Sequence, residues 1–139
     1  MSQTVSVTFC KVSESESASE AEIRGHRVVS DRPEAKGGGD AGPMGGELLL
    51  SGQAGCFMSN LVAAARTREV ALKTAEVTAT GTVADAPPRF SAIDLVVSAP
   101  GVEEETLAKL VTIAERGCLV ANTLKQALPV TITIKVMEP

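Results

Sequence analysis

Three cysteines carry the reactive potential of this chain: Cys10, Cys56 and Cys118. They contain no CxxC pair, and His26 is the only histidine, so Cys and His ligands are too few and too scattered for a metal site. An odd, sparse set is also poor material for a structural disulfide framework. Two uses remain open. The thiols can be small buried hydrophobes that never react, or they can serve redox chemistry, in which a thiolate attacks and is later restored. A free thiol with a pKa near about 8.5 is mostly protonated at neutral pH, so a reactive cysteine needs a neighbour that favours the thiolate. Cys10, on an expected strand, is assigned to the inert class, and His26 to a structural or exposed position with no titratable partner near it in sequence.

The remaining composition excludes several classes. The stretch DRPEAKGGGDAGPMGG (31–46) holds six of the twelve glycines and cannot be regular structure. It contains neither GxxxxGK[ST] nor a GxGxxG placed after a strand, so a phosphate cradle is not indicated. A net charge of −4, three Phe and no Trp or Tyr leave neither a basic stripe for phosphates nor aromatics for base stacking, so nucleic acid is set aside. No apolar run approaches the roughly 18–20 residues of a membrane span, and 47–67 is too polar for one, given Gln53, Ser59 and Asn60. The opening Met-Ser-Gln-Thr-Val lacks the features of a signal peptide. The expectation is a soluble, cytoplasmic protein without a cofactor.

These residues are positioned by elements that can be read from periodicity. With 139 residues, 44% of them hydrophobic, the chain suits one domain (1–139) whose core is built from aliphatic contacts. TVSVTFC (4–10) alternates as a strand, and IRGHRVVS (23–30) suits a second. Between them SESESASEAE (13–22) reads as a solvated hairpin loop or a frayed strand. ELLLSGQAGCFMSNLVAAART (47–67) is apolar on nearly every side, as expected of a helix in an interior or between subunits, and Cys56 sits near its middle. Strands are expected over 70–83 and 90–99, joined by a turn with Pro87 and Pro88. An amphipathic helix follows over 102–116, with Leu107, Leu110, Val111 and Ala114 on one face, Glu103, Glu104 and Glu105 in its first turn, and Gly117 as its cap. A short helix over 119–128 ends before Pro129, and VTITIKV (130–136) closes the chain with Val130, Ile132, Ile134 and Val136 inward. The order gives an α+β fold, an antiparallel-rich sheet wrapped around a buried central helix.

Two stretches resemble the OsmC/Ohr family. DRPEAKGGGDAGPMGGELLLSGQAGC is similar to the Gly-rich loop that runs into the helix bearing the family's reactive cysteine, and IAERGCLVANTL (113–124) is similar to its second cysteine motif. The 62 positions between Cys56 and Cys118 are close to the family's separation, and the last strand is in register with it. The resemblance implies an intertwined homodimer with its sites at the subunit interface. It also implies that Cys56 attacks a peroxide and becomes a sulfenic acid, that Cys118 condenses with it to a disulfide, and that an external dithiol reductant restores both.

The family's peroxidase members add an arginine and a glutamate. Here the ungapped glutamate position is Gly46, with Glu47 the substitute although one helix step turns a side chain by about 100°. The arginine position falls on Lys36, a point charge without the guanidinium fork. Arg32 from the loop, or Arg24 or Arg27 from another subunit, are further candidates, and Leu119 stands where a proline usually follows the second cysteine. Glu47 is equally suited to being a plain first-turn helix carboxylate, favoured there by the helix dipole.

Two functions follow. One is a thiol peroxidase for organic hydroperoxides, whose alkyl tails suit the apolar setting of Leu49, Leu50, Phe57 and Met58. The other is a non-catalytic dimer that binds a small apolar ligand or senses oxidants through its thiols.

Overall fold

A computed structural model of the protein describes residues 2–136. The mixed α+β architecture is observed, with its strands in two three-stranded sheets. The chain divides into two compact units, one ending at Leu49 and one beginning at Leu50.

The first unit holds an antiparallel meander of β1 (Cys10–Lys11), β2 (Ser19–Ile23) and β3 (His26–Ser30). The continuous strand expected over 23–30 is broken by a two-residue turn. Arg24 (φ 50°) and Gly25 (φ 86°) both take positive φ, the backbone twist that suits a tight hairpin. Of the hairpin loop or frayed strand expected over 13–22, Ser19–Glu22 lies in β2. Ala21 faces inward, while Glu20 reaches across the hairpin to Arg27 at 2.6 Å. Small inward residues between glutamates disguise the strand's alternation. The strand expected over 4–10 is observed only at Cys10: residues 2–9 carry no strand, and Val5, Val7 and Phe9 are exposed. Their alternation makes a β edge, but a strand forms only where another edge pairs with it. Cys10 is exposed rather than buried.

Helix α1 (Gly45–Thr67) matches the expected helix. Its length and composition are sufficient to cross a bilayer, which corrects the expectation that Gln53, Ser59 and Asn60 make the segment too polar to span one. Gln53, Phe57, Leu61, Ala64 and Ala65 form its buried stripe, whereas Leu49 and Val62 are exposed, as are the small residues Gly52, Gly55 and Ser59. In the single chain the helix is thus buried along one face.

The second unit contains the core. β4 (Glu76–Ala84) pairs antiparallel with β5 (Arg89–Ser98), and β6 (Val130–Ile134) lies parallel to β5 with Leu95 opposite Ile132. Between β5 and β6 run α2 (Glu104–Gly117) and α3 (Leu119–Leu124), the crossover that a parallel pairing requires. Ile93, Leu95 and Val97 of β5 join Phe57 and Leu61 of α1 and Leu107, Leu110, Val111 and Ala114 of α2 in one buried cluster. The expected face of α2 is the observed one. Gly117 belongs to the helix, and Cys118 is its C-terminal cap. β4 starts at Glu76 rather than Val70, α3 stops at Leu124 rather than Leu128, and Val136 is exposed.

Candidate thiol site

Cys56 and Cys118 come together in the second unit. Cys118 follows Gly117 at the junction where α2 ends and α3 begins, capping both helices, and its side chain is completely buried. Cys56 is half-buried on α1, and the two free thiols are neighbours, close enough for Cys56 to disfavour the Cys118 thiolate. Burial pushes the Cys118 thiol up from its ordinary value, and the nearby Cys56 adds to this; the backbone N–H groups of Ala121 and Val120 act in the opposite sense.

Two carboxamides on α1 flank the sulfurs. Gln53 Nε2 donates to Cys118 Sγ at 3.8 Å. Asn60 Nδ2 donates to the Cys56 carbonyl at 2.9 Å and lies 3.9 Å from Cys56 Sγ. Steps of three and four residues return a helix to nearly the same azimuth, which is why Gln53, Cys56 and Asn60 share one stripe of α1. Gly117 makes room for this arrangement, since a Cβ there would come 3.1 Å from Asn60 Oδ1. Gln53 is completely buried, and its Oε1 has no hydrogen-bond partner among the described residues. No Lys or Arg of the second unit hydrogen-bonds either sulfur among the described residues; neutral amides do. The sequence reading missed both amides. The signal was present, as each lies one helical turn from Cys56.

The other candidate residues belong to the first unit. Glu47 Oε1 accepts the Met44 backbone N–H at 2.8 Å, and Met44 O accepts from Leu48 N, so Glu47 is the carboxylate half of a helix cap. Arg32 and Lys36 are exposed, Lys36 ending a short 3-10 turn (Glu34–Lys36). Arg24 lies in the hairpin turn and Arg27 is paired with Glu20. His26 is exposed on β3.

Asp31, which the sequence reading passed over, organises the loop carrying Arg32 and Lys36. It is buried, and its carboxylate accepts the backbone N–H groups of Arg32 (2.7 Å), Gly39 (3.2 Å) and Ala41 (3.0 Å). The Ala41 N–H is the largest cause holding its pKa below the usual carboxylate value, followed by the Ser17 hydroxyl. The loop closes so tightly that a Cβ on Gly38 would lie 1.9 Å from Arg32 O.

Among the described residues no group of three or more His, Cys, Asp or Glu is placed to hold a metal. A groove of about 550 Å³ along α2, lined by Val70, Leu110 and Ile113 with Arg68 and Lys109, includes neither thiol.

A family model described as OsmC-like protein matches residues 37–133. The fold is similar to the crystal structure of an OsmC-like protein from Mycoplasma pneumoniae (TM-score 0.82, 18% identity, covering 99% of this chain and 100% of that one). It is also similar to an organic hydroperoxide resistance protein from Elizabethkingia anophelis (TM-score 0.76, 18% identity, 99% and 100% covered). A third similar structure is an organic hydroperoxide resistance protein OsmC from Legionella pneumophila (TM-score 0.74, 19% identity, 97% and 100% covered). No curated protein matches the sequence.

Proposed function

The chain belongs to the OsmC-like protein family, and on that premise we propose that it is a thiol-dependent peroxidase reducing organic hydroperoxides to alcohols. The observation that carries this reading is the pair of neighbouring free thiols, each with an amide donor at its sulfur. In the first step the Cys56 thiolate attacks one peroxide oxygen. The O–O bond breaks, the alkoxide leaves and takes a proton to become the alcohol, and Cys56 becomes a sulfenic acid. In the second step Cys118 sulfur attacks Cys56 sulfur. An S–S bond forms, the S–O bond breaks, and the departing hydroxide takes up the Cys118 proton as water. A dithiol reductant then returns both thiols by exchange.

Cys56 is half-buried against the apolar core, a setting better matched to an alkyl tail than to hydrogen peroxide. Arg32 and Lys36 are the cations we assign to the peroxide, with Glu47 the carboxylate that orients them. We further propose an intertwined homodimer. The exposed face of α1, with open space at Gly52 and Gly55, and the unpaired apolar edge of Val5, Val7 and Phe9 are surfaces a second copy would cover.

The test is turnover of cumene hydroperoxide and hydrogen peroxide with lipoamide or dithiothreitol, beside Cys56→Ser, Cys118→Ser, Arg32→Ala and Lys36→Ala. The reading requires preference for the organic peroxide and loss of turnover in Cys56→Ser. No consumption above background by the folded wild-type protein would reject it in favour of a non-catalytic ligand-binding or oxidant-sensing role.

A further inference from the structure

Gln53 is an expensive residue to bury. Its side chain is completely enclosed, its Nε2 reaches Cys118 Sγ at 3.8 Å, and its Oε1 has no partner among the described residues. A methionine or leucine would fill similar space on the apolar stripe without stranding an amide oxygen. What a carboxamide offers that they do not is a donor and an acceptor on one rotatable group. With Nε2 toward the sulfur it donates to a thiolate. Turned by half a revolution about its last torsion, it presents Oε1 to accept from the S–H of a thiol.

Cys118 needs both partners in succession. It starts as a buried thiol, since burial favours the neutral form. It must then act as a nucleophile, which requires sulfur to give up its proton in a place where bulk water cannot solvate the resulting charge. Among the described residues, the side chain that hydrogen-bonds Cys118 Sγ is Gln53, and Cys56, its reaction partner, is near enough to disfavour its thiolate.

We propose that Gln53 is the positioning residue for the resolving thiol, holding Cys118 sulfur toward Cys56 and donating its amide N–H to that sulfur as the proton leaves. The inference rests on the peroxidase reading and deepens it by separating the two half-reactions. Cleavage of the peroxide belongs to Cys56, and closure of the disulfide depends on Gln53. In closure the Cys118 sulfur bonds to Cys56 sulfur, the S–O bond of the sulfenic acid breaks, and the proton lost by Cys118 leaves with the hydroxide as water. Cys118 supplies the electron pair, so no further oxidant is needed.

The experiment uses the full-length protein and its Gln53→Met and Gln53→Leu variants. Cumene hydroperoxide is added in single turnover, dimedone traps sulfenic acid, and mass spectrometry follows the disulfide. The expected result is sulfenic acid formation within about twofold of wild type and disulfide closure slowed about tenfold or more, the order of a hydrogen bond to a charged group. Dimedone adducts and over-oxidised Cys56 should accumulate. In parallel, the Cys118 ¹³Cβ shift is titrated without peroxide, and its midpoint should move to higher pH in both variants. Closure at the wild-type rate with an unmoved midpoint overturns the proposal. So does an equal slowing of both half-reactions, which marks a purely structural role. If wild-type protein forms no sulfenic acid, the peroxidase reading fails by itself. Diamide-driven closure and the titration then decide on Gln53: an effect of the variants on both upholds its hold on Cys118, and no effect removes it.

Discussion

The carboxamide of Asn60 bridges the backbone and the sulfur of Cys56, with Nδ2 2.9 Å from the carbonyl oxygen and 3.9 Å from Sγ. The bond to the carbonyl one turn earlier fixes the amide, so the contact with sulfur follows from helix geometry. Asn60→Leu keeps the volume and removes the donor. It should slow the reaction of Cys56 with cumene hydroperoxide, and with iodoacetamide, by about tenfold, in line with the loss of one hydrogen bond to a charged group. Gly117→Ala tests the same amide from the other side, because its Cβ would meet Asn60 Oδ1 at 3.1 Å. The amide must shift by a few tenths of an ångström. Cys56 alkylation should therefore change while the denaturation midpoint moves little.

Asp31 makes the first unit acid-sensitive. Its pKa is lowered in the native state, chiefly by the Ala41 N–H and the Ser17 hydroxyl. At a pH above the ordinary carboxylate value of about 4, the stabilisation is present in full. It is lost as pH falls through the lower native pKa, because the unfolded chain binds the proton first. Urea midpoints measured from pH 7 down to pH 2 should show a shallower acid limb in Asp31→Asn than in the wild type.

Cys118 has the opposite linkage. Its native pKa is raised, mainly by burial, so on raising the pH the unfolded thiol ionises before the native one. The unfolded state then binds fewer protons, and stability falls as pH rises above the ordinary thiol value until the native pKa is passed. Cys118→Ala should cost about 1–2 kcal/mol at neutral pH by loss of buried volume, and its stability should decline less steeply between about pH 8 and 10. An equal slope in both proteins would show that Cys118 is not the group responsible.

The loop after Asp31 should separate two kinds of glycine. At Gly38 a Cβ would lie 1.9 Å from Arg32 O and 2.6 Å from Arg32 Cβ, so Gly38→Ala forces the loop apart. Gly37 has φ 87° with nothing within 4 Å, so Gly37→Ala meets only the left-handed backbone penalty. We expect a loss of about 2–3 kcal/mol at Gly38 and about 1 kcal/mol at Gly37. Chemical denaturation followed by circular dichroism measures both.

The proposed dimer can be tested where the single chain leaves room. A Cβ on Gly52 meets nothing within 4 Å, and glycine in a helix interior costs about 1 kcal/mol relative to alanine. Gly52→Leu should fold as well as the wild type. If the exposed face of α1 packs against a second copy, sedimentation velocity will show the variant shifting toward monomer at concentrations where the wild type is dimeric. An unchanged sedimentation coefficient would place the interface elsewhere.

The sequence by itself determined the helices, the strands of the second unit and the paired cysteine motifs, but not the strands of the first unit. Leu107, Leu110, Val111 and Ala114 were legible as a buried face because helical periodicity is a local property, and these residues line the core side of α2. The long apolar stretch around Cys56 announced a helix without periodicity, and only packing decided which of its faces is buried. Pairing was not legible. The alternation of Val5, Val7 and Phe9 makes an edge without choosing a partner, and the parallel contact of β5 with β6 depends on the α2–α3 crossover. Tertiary structure also decided the chemistry around the thiols. Gln53 and Cys118 are 65 positions apart, and only packing brings an amide to that sulfur. Asp31 resembled any loop aspartate until the chain turned back on it with the N–H groups of Gly39 and Ala41. Periodicity is written into neighbouring residues, whereas a hydrogen bond across the fold depends on where two distant segments come to rest.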